Sequence, residues 1–306
     1  MSTPHDHGID AHAVNRRRLA IAFGITATIL VAEVIGAIAT NSLALLVDAA
    51  HMLTDAGGLA TALVAANLAR RPTTAKRTWG FARAEVLSAT AQAAVLLAVG
   101  LFVLIEGVQR LFAPPEIASG GLLVFGIIGL VGNIASILVL ASGRNANFNL
   151  RAAFLEVVND ALGSVAVIIA AIIIAVTGWG GADAIAGLLI GVLILPRAFK
   201  LLRETVNVLL ESTPTGLNLD DVRTHLLERE HVIDVHDLHA SQIATGLPVL
   251  TAHVSIDSAC FTDGSVPALL DDLQRCVAEH FEVSVEHSTF QLEPAGHSQH
   301  EHTPHV

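Results

Sequence analysis

The chain has 306 residues, of which 53% are hydrophobic and 15% charged, and its mean hydropathy is +0.62. These values favour a membrane protein, because a soluble domain of this length rarely contains long uncharged apolar runs. The formal net charge of −11 is unevenly distributed, since residues 211–293 carry 15 Asp/Glu against 3 Lys/Arg. Nucleic acid is therefore excluded as a partner, because phosphate binding needs a basic surface. The acidic segment suits soluble cations instead.

About half of the chain consists of apolar segments. After a short histidine-containing tail at residues 1–15, six of them have about the 20 residues needed to cross a bilayer. They cover residues 19–40, 43–69, 85–112, 117–142, 152–177 and 181–200. The last has the shortest uncharged core, so five spans is the alternative count. We predict a six-helix transmembrane transport domain over residues 16–210.

Basic residues alternate between the two sides of these segments. One set of connections is rich in them, whereas the opposite set, "TNS", "APPEIASGG" and "GWGGAD", contains none. By the positive-inside rule, the basic side is cytosolic. The sequence therefore predicts a multi-pass protein with both termini in the cytoplasm. The basic residues that indicate this are Arg16, Arg17, Arg18, Arg70, Arg71, Lys76, Arg77, Arg83, Arg144, Arg151, Arg197, Lys200 and Arg203.

The final third of the chain has a different pattern. Helical spacing in "LDDVRTHLLERE" is followed by alternating, β-branched stretches, an amphipathic segment and another alternating stretch. This order predicts a small α+β domain, αββαβ, over residues 211–293, with two helices on one face of a three-stranded sheet. Residues 212–218 are the predicted linker. Residues 294–306 are rich in histidine and are predicted to form a flexible tail, while Cys260 and Cys276 are predicted to be free thiols.

Two of the apolar segments contain pairs of metal-ligating residues. His51 and Asp55 are four apart, as are Glu156 and Asp160, so each pair shares one helical face. Charged residues at the centre of a membrane helix cost about 2.5–3.5 kcal/mol and usually mark an ion path. If the two helices face each other, one nitrogen and three carboxylates match the tetrahedral preference of Zn²⁺. We therefore predict an intramembrane metal site.

The same ligands provide a coupling mechanism. Neighbouring carboxylates repel one another, so without metal some are expected to hold protons. A divalent cation displaces those protons when it binds, because metal ligands must be deprotonated. Competition between metal and proton for one site is the condition for antiport. Asp48 is predicted to support the site or its access path, whereas Glu33 and Glu106 are equally well explained by helix packing.

Several motifs in order resemble the cation diffusion facilitator family. They are "NSLALLVDAAHMLTDAGG", "WGFARAEVLSA", "IEGVQRLFAPPEI", "NLRAAFLEVVNDALGSV" and "HSTFQLE", and the resemblance covers residues 16–293. It implies six spans and a metallochaperone-like, ferredoxin-like cytosolic domain that dimerises and binds further metal. It also implies a homodimer that exports Zn²⁺ or similar ions in exchange for protons, located in a bacterial inner membrane. The family's His-xxx-Asp motif in the second span falls on His51 and Asp55.

The fifth span departs from the family pattern. Many zinc-transporting members have histidine where this chain has Glu156. A carboxylate there adds charge and hardens the site, which should make it less selective against Mn²⁺ or favour Co²⁺ or Cd²⁺. Zn²⁺ remains the first prediction because the His51 half of the site is intact.

The resemblance also places metal ligands in the cytosolic domain. His236, His253 and His287 fall on three adjacent strands at positions similar to the family's ligands. Alternation predicts that His236 and Leu238 share one strand face, with His253 across from His236. Some relatives place an Asp two residues after the last histidine, where this chain has Thr289. His239 and Glu293 are candidate substitutes, and surface histidines without metal are the alternative.

Other classes of function fit less well. A membrane metalloenzyme or an ATP-driven pump is disfavoured, because no nucleophile motif, Walker loop or HExxH motif is present. The alternative that stays open is a membrane metal sensor, or a partner subunit that does not itself transport. It would use the acidic domain as its metal-binding part and would not need the intramembrane ligands.

Overall fold

The computed structural model describes residues 7–69, 73–141 and 148–297, without the side chains of 7–19, 55, 58–67, 69 and 148–152. Six long helices come first: α1 (His7–Thr40), α2 (Leu43–Ala69), α3 (Arg83–Phe112), α4 (Ser119–Ala141), α5 (Phe148–Thr177) and α6 (Gly181–Leu209). Among the described residues, α1, α3, α4, α5 and α6 are long and apolar enough to cross a membrane, and α2 has a shorter apolar stretch, Leu43–Thr54. The described residues therefore contain five helices that meet both criteria for a membrane span. Helix α1 begins at His7, inside the segment predicted as a tail.

The chain divides into two compact units. The first consists of Met1–Ala60 with Ala91–Leu201, and the second of Thr61–Thr90 with Leu202–Val306. The second unit thus contains more than the predicted domain at 211–293, since the end of α2, the α2–α3 connection and the start of α3 belong to it. Side-chain hydrogen bonds explain the difference: Arg83 Nη2 donates to Glu211 Oε1 at 2.8 Å, and Thr245 Oγ1 donates to Glu85 Oε1 at 3.0 Å.

Small residues bring the helices of the first unit close together. Helix α4 packs against α1 and α5. A Cβ at Gly132 would lie 2.6 Å from Ile29 Cδ1 of α1, closer than two carbon atoms can approach. Close backbone contact of this kind is how helices associate in lipid, where apolar burial offers little gain. The outward faces instead expose large apolar side chains, such as Val176, which is 81% exposed.

A buried carboxylate fixes the start of α2. Ser42 precedes the helix, and its Oγ accepts a hydrogen bond from Leu45 N at 3.1 Å. Asp183, near the start of α6, accepts from Ser42 Oγ and, at 2.6 Å, from Leu43 N. Asp183 is fully buried. These bonds satisfy backbone N–H groups that a helix start leaves without intrahelical partners, and they hold α2 and α6 together.

Replacing Asp183 by alanine is expected to destabilise the protein by about 2 kcal/mol, because the buried Leu43 N–H and Ser42 hydroxyl lose their acceptor. Asp183→Asn retains one acceptor oxygen and should lose less. Thermal unfolding of the detergent-purified variants measures the effect. An Asp183→Ala variant that unfolds at the wild-type temperature would show that the bond to α2 is dispensable.

The second unit contains a mixed sheet with helices on one face. Its elements are α7 (Leu219–Leu227), β1 (Val232–Ala244), β2 (Leu247–Ile256), α8 (Cys260–Asp263), α9 (Val266–Glu279) and β3 (His287–Pro294). The order thus differs from the predicted αββαβ by the four-residue α8. The sheet order is β1-β2-β3, with β1 and β2 antiparallel and β2 and β3 parallel.

One core joins these helices to the sheet. Leu226 of α7 and Leu273 of α9 pack with Val254 of β2, and all three are completely buried. Cys260 and Cys276 are free and buried in the same core, as predicted. Burial raises the pKa of the Cys276 thiol, which keeps it protonated and unreactive. The opposite face of the sheet is left for polar side chains.

Candidate metal sites

An imidazole and two carboxylates from two helices meet inside the first unit. His51 of α2 points its Nε2 at α5, where it lies 3.1 Å from Glu156 Oε1 and 3.9 Å from Asp160 Oδ1. His51 and Asp160 are buried, with 6% and 5% of their surfaces exposed. Residues four apart on a helix share a face, which is why both carboxylates reach the same imidazole. This is one nitrogen and two oxygen donors in a single group, a set that Zn²⁺ accepts.

The predicted fourth ligand is Asp55. Its backbone belongs to α2, one turn beyond His51, but its side chain lies outside the described residues. Its participation in the site therefore stays a prediction.

A cavity of about 440 Å³ opens onto this group between α2, α5 and α6. Its polar lining includes Asp48, His51 and Asp160, and its apolar lining comes from α5 and α6, for example Leu162 and Leu193. A polar group at the wall of a largely apolar cavity is the usual form of a binding site.

Arg197 of α6 belongs to this candidate site, although the sequence did not identify it. It lines the same cavity, and its Nη1 lies 2.7 Å from Glu156 Oε1. In the sequence it reads only as one of the basic residues that orient the chain. Its contact with α5 depends on how α5 and α6 pack, and no spacing within one segment reveals that packing.

The first unit contains further buried polar groups. Glu33 of α1 and Asp48 of α2 are 1% and 2% exposed, and their side chains interact. Gly163 of α5 allows the approach, since a Cβ there would lie 3.2 Å from Asp48 Oδ1. Asn133 of α4 donates from Nδ2 to Ser164 Oγ of α5 at 3.3 Å. Buried polar side chains thus connect α1 with α2 and α4 with α5.

The second unit contains another cluster of side chains that could ligate a metal ion. His236, His253 and Glu293 each offer an atom within 4.8 Å of the others. His253 Nδ1 lies 3.0 Å from Glu293 Oε1, and His236 Nε2 lies 3.7 Å from Glu293 Oε2. Glu293 is 2% exposed beneath the two imidazoles. Two nitrogens and a carboxylate suit a tetrahedral Zn²⁺ with one position left for another ligand.

A β-bulge determines which side of β1 faces this group. Asp237 has a positive φ of 49°, and the register with β2 shifts between His236 and His239. Leu238 consequently joins the core, whereas His236 lies opposite His253 on the other face. The predicted shared face of His236 and Leu238 is therefore wrong, because a bulge breaks the two-residue alternation. The bulge also brings Asp237 Oδ2 within 3.7 Å of His253 Nε2.

His287 lies apart from this group. The β2–β3 register pairs it with Val249, whereas His253 pairs with Gln291. Four residues along a strand correspond to about 13 Å, so the structure does not bring His287 to His236 and His253. Its ring instead contacts that of Trp79, with 4.8 Å between centroids. Glu293, one of the two substitutes suggested for the aspartate that is missing at Thr289, lies with His236 and His253 instead.

Apolar spanning helices with a buried imidazole–carboxylate group, together with a small domain that carries a second one, define a membrane protein that handles metal cations. The comparison with known proteins is more specific: residues 19–210 match the cation efflux transmembrane domain. The chain belongs to the cation diffusion facilitator family, whose members transport metal cations and are not enzymes.

Curated relatives match nearly the whole chain. The metal cation efflux system protein CzcD of Cupriavidus metallidurans is 42% identical over 295 residues, covering 96% of this chain and 91% of that protein. The zinc transporter ZitB of Escherichia coli is 38% identical, covering 94% and 95%. The cadmium, cobalt and zinc/H(+)-K(+) antiporter of Bacillus subtilis is 34% identical, covering 96% and 93%. The chain is therefore a membrane-embedded metal cation efflux protein.

Proposed function

We propose that this protein is a proton-coupled antiporter that exports a divalent metal cation from the cytoplasm by alternating access, with Zn²⁺ as the first substrate and Cd²⁺, Co²⁺ or Mn²⁺ as others. The observation that carries the proposal is the convergence of His51, Glu156 and Asp160 at 3.1–3.9 Å on two facing helices. Asp55 is the proposed fourth ligand. The names of the zinc and antiporter relatives support the same substrate and coupling.

The chemistry of the group fits exchange of metal for protons. His51 Nε2 lies at hydrogen-bonding distance from Glu156 Oε1. A proton between these atoms must leave before both can coordinate one cation. Loading from one side and protonation from the other then move metal and protons in opposite directions.

The proposed membrane arrangement has six spans with both termini in the cytoplasm. Helix α2 has 27 residues, which at 1.5 Å per residue give about 40 Å, more than the hydrocarbon thickness of about 30 Å. Five strongly apolar helices and α2 together make six crossings, an even number, so both ends of the chain lie on the same side of the membrane. The arrangement of basic residues favours the cytoplasmic side of an inner membrane for both ends. The C-terminal domain is proposed to have a metallochaperone-like fold and to hold two copies together as a homodimer.

The test is transport by purified protein in proteoliposomes with an acidic interior. Zn²⁺, Cd²⁺, Co²⁺ and Mn²⁺ are offered outside, and interior pH and metal are followed with fluorescent indicators. Zn²⁺ should enter while the interior becomes more alkaline, and a protonophore should abolish the accumulation. Folded protein that moves none of these ions would overturn the proposal and favour the second candidate, a membrane metal sensor or partner subunit that does not itself transport.

We further propose that His236, His253 and Glu293 bind Zn²⁺ in the C-terminal domain. His253→Ala is expected to remove one class of Zn²⁺ sites from the full-length protein, because it deletes the ligand nearest Glu293. Isothermal titration of the detergent-purified protein with Zn²⁺ measures the number of sites.

His287→Ala is the matched control, since it removes a histidine from the same sheet outside the group. It should leave the number of Zn²⁺ sites unchanged. Equal losses in both variants would contradict the assignment of the ligands, and no loss in either would favour surface histidines that bind no metal.

A further inference from the structure

One carboxylate oxygen is shared by two different donors in the membrane unit. Glu156 Oε1 lies 3.1 Å from His51 Nε2 and 2.7 Å from Arg197 Nη1. The three residues come from α2, α5 and α6, and His51 and Arg197 both line the same cavity. The Arg197 guanidinium therefore binds a carboxylate that is also a proposed ligand of the metal.

The charge balance of the proposed site explains why a guanidinium is useful next to Glu156. With Asp55 as the proposed fourth ligand, the site carries three negative charges when Asp55, Glu156 and Asp160 are ionised, and a divalent cation neutralises only two of them. A site of this kind in low dielectric retains an uncompensated charge, which is costly. Arg197 supplies the remaining positive charge, and it does so permanently because a guanidinium does not lose its proton in proteins.

The position of Arg197 also affects how tightly metal is held. A fixed positive charge next to a ligand oxygen repels an incoming divalent cation and competes for the electron pairs of that oxygen. Hard ions such as Mn²⁺ depend on carboxylate charge more than Zn²⁺ does, since Zn²⁺ also binds imidazole strongly. Repulsion that acts through Glu156 therefore weakens Mn²⁺ more than Zn²⁺.

We infer that Arg197 is a specificity-determining residue of the transport site: paired with Glu156, it offsets the negative charge of that carboxylate, keeps metal affinity low enough for release and disfavours hard divalent cations. The inference rests on the proposed transport function. It concerns affinity and selectivity, whereas the proposed function concerns whether metal moves at all.

The test compares KM and kcat for Zn²⁺ and Mn²⁺ in the proteoliposome assay. Arg197→Gln should lower KM for Zn²⁺ by about tenfold and KM for Mn²⁺ by more, with a lower kcat because release slows. Arg197→Lys keeps the charge and should stay near wild type. Arg203→Gln, an exposed arginine further along α6, is the matched control and should change neither constant.

A double-mutant comparison separates charge pairing from a general role of Arg197. With Glu156→His as background, Arg197→Gln should change KM less than about twofold, because the partner carboxylate is gone. The same KM change in both backgrounds, or none in either, would overturn the inference. If Arg197→Gln alone is inactive, recovery in the double variant supports it and continued inactivity overturns it. Wild-type protein that moves no metal would defeat the proposed function instead.

Discussion

Asp160→Asn is expected to abolish proton-driven Zn²⁺ uptake, with a loss of about a hundredfold or more. Asparagine has nearly the same shape, so the packing of α5 is preserved, but it offers a neutral amide in place of an anionic ligand. Even changes to groups that only support a metal ligand cost about 10- to 100-fold. Asp160 is 5% exposed and lies 3.9 Å from His51 Nε2. Initial uptake rates in proteoliposomes with an acidic interior measure the effect.

Asp271→Asn, on the exposed face of α9, is the matched control and should transport normally. Asp55→Ala, run in the same assay, examines the fourth ligand and should be as inactive as Asp160→Asn. Transport by Asp160→Asn at the wild-type rate would remove Asp160 from the site. An active Asp55→Ala beside an inactive Asp160→Asn would leave three protein ligands and require a different fourth one.

The membrane helices were predictable because lipid leaves the backbone few choices. An apolar segment in a bilayer must satisfy its own hydrogen bonds, so it forms a helix over nearly its whole length. The segment predicted at 43–69 became α2 (Leu43–Ala69), and the one at 85–112 became α3 (Arg83–Phe112). The polar connection between them was not predicted to join the C-terminal domain, because that depends on side-chain bonds such as Arg83 to Glu211.

The candidate site at His51, Glu156 and Asp160 was predictable only within each helix. A spacing of four residues places Glu156 and Asp160 on one face whatever the rest of the fold does. The contact between Arg197 and Glu156 joins residues 41 positions apart on different helices. Nothing local in the sequence distinguishes Arg197 from other arginines at the end of an apolar segment, so its part in the site needed the packing of α5 and α6.

In the C-terminal domain, the register of the strands could not be predicted from the sequence. Alternation along β1 fails at Asp237, which adopts a positive φ although it is not a glycine. Beyond this bulge, side chains point to the opposite face from the one that regular alternation predicts. The composition around Asp237 is compatible with regular alternation, so the bulge has no clear sequence signal. The parallel register of β3 places Glu293, rather than His287, near His253. A one-residue shift in a strand reverses which side chains meet.

Glu156→His is expected to change which metal the protein prefers. The ratio of kcat/KM for Zn²⁺ to that for Mn²⁺ should rise by about tenfold, because imidazole binds Zn²⁺ well and Mn²⁺ poorly, while loss of a carboxylate weakens binding of hard ions. Transport of Zn²⁺ itself should persist, since two nitrogens and two carboxylates still form a tetrahedral set. The measurement is competitive uptake of the two ions from an equimolar mixture.

The control for this change is Glu156→Gln, which removes the charge without adding a nitrogen ligand. If charge alone sets the ranking, both variants raise the Zn²⁺ to Mn²⁺ ratio equally. If the imidazole contributes, the ratio rises further in Glu156→His, and Zn²⁺ transport survives there while it falls in Glu156→Gln. An unchanged ratio in both would mean that the Glu156 carboxylate does not contact the moving ion. Its contacts with His51 and Arg197 would then serve to hold α2, α5 and α6 together.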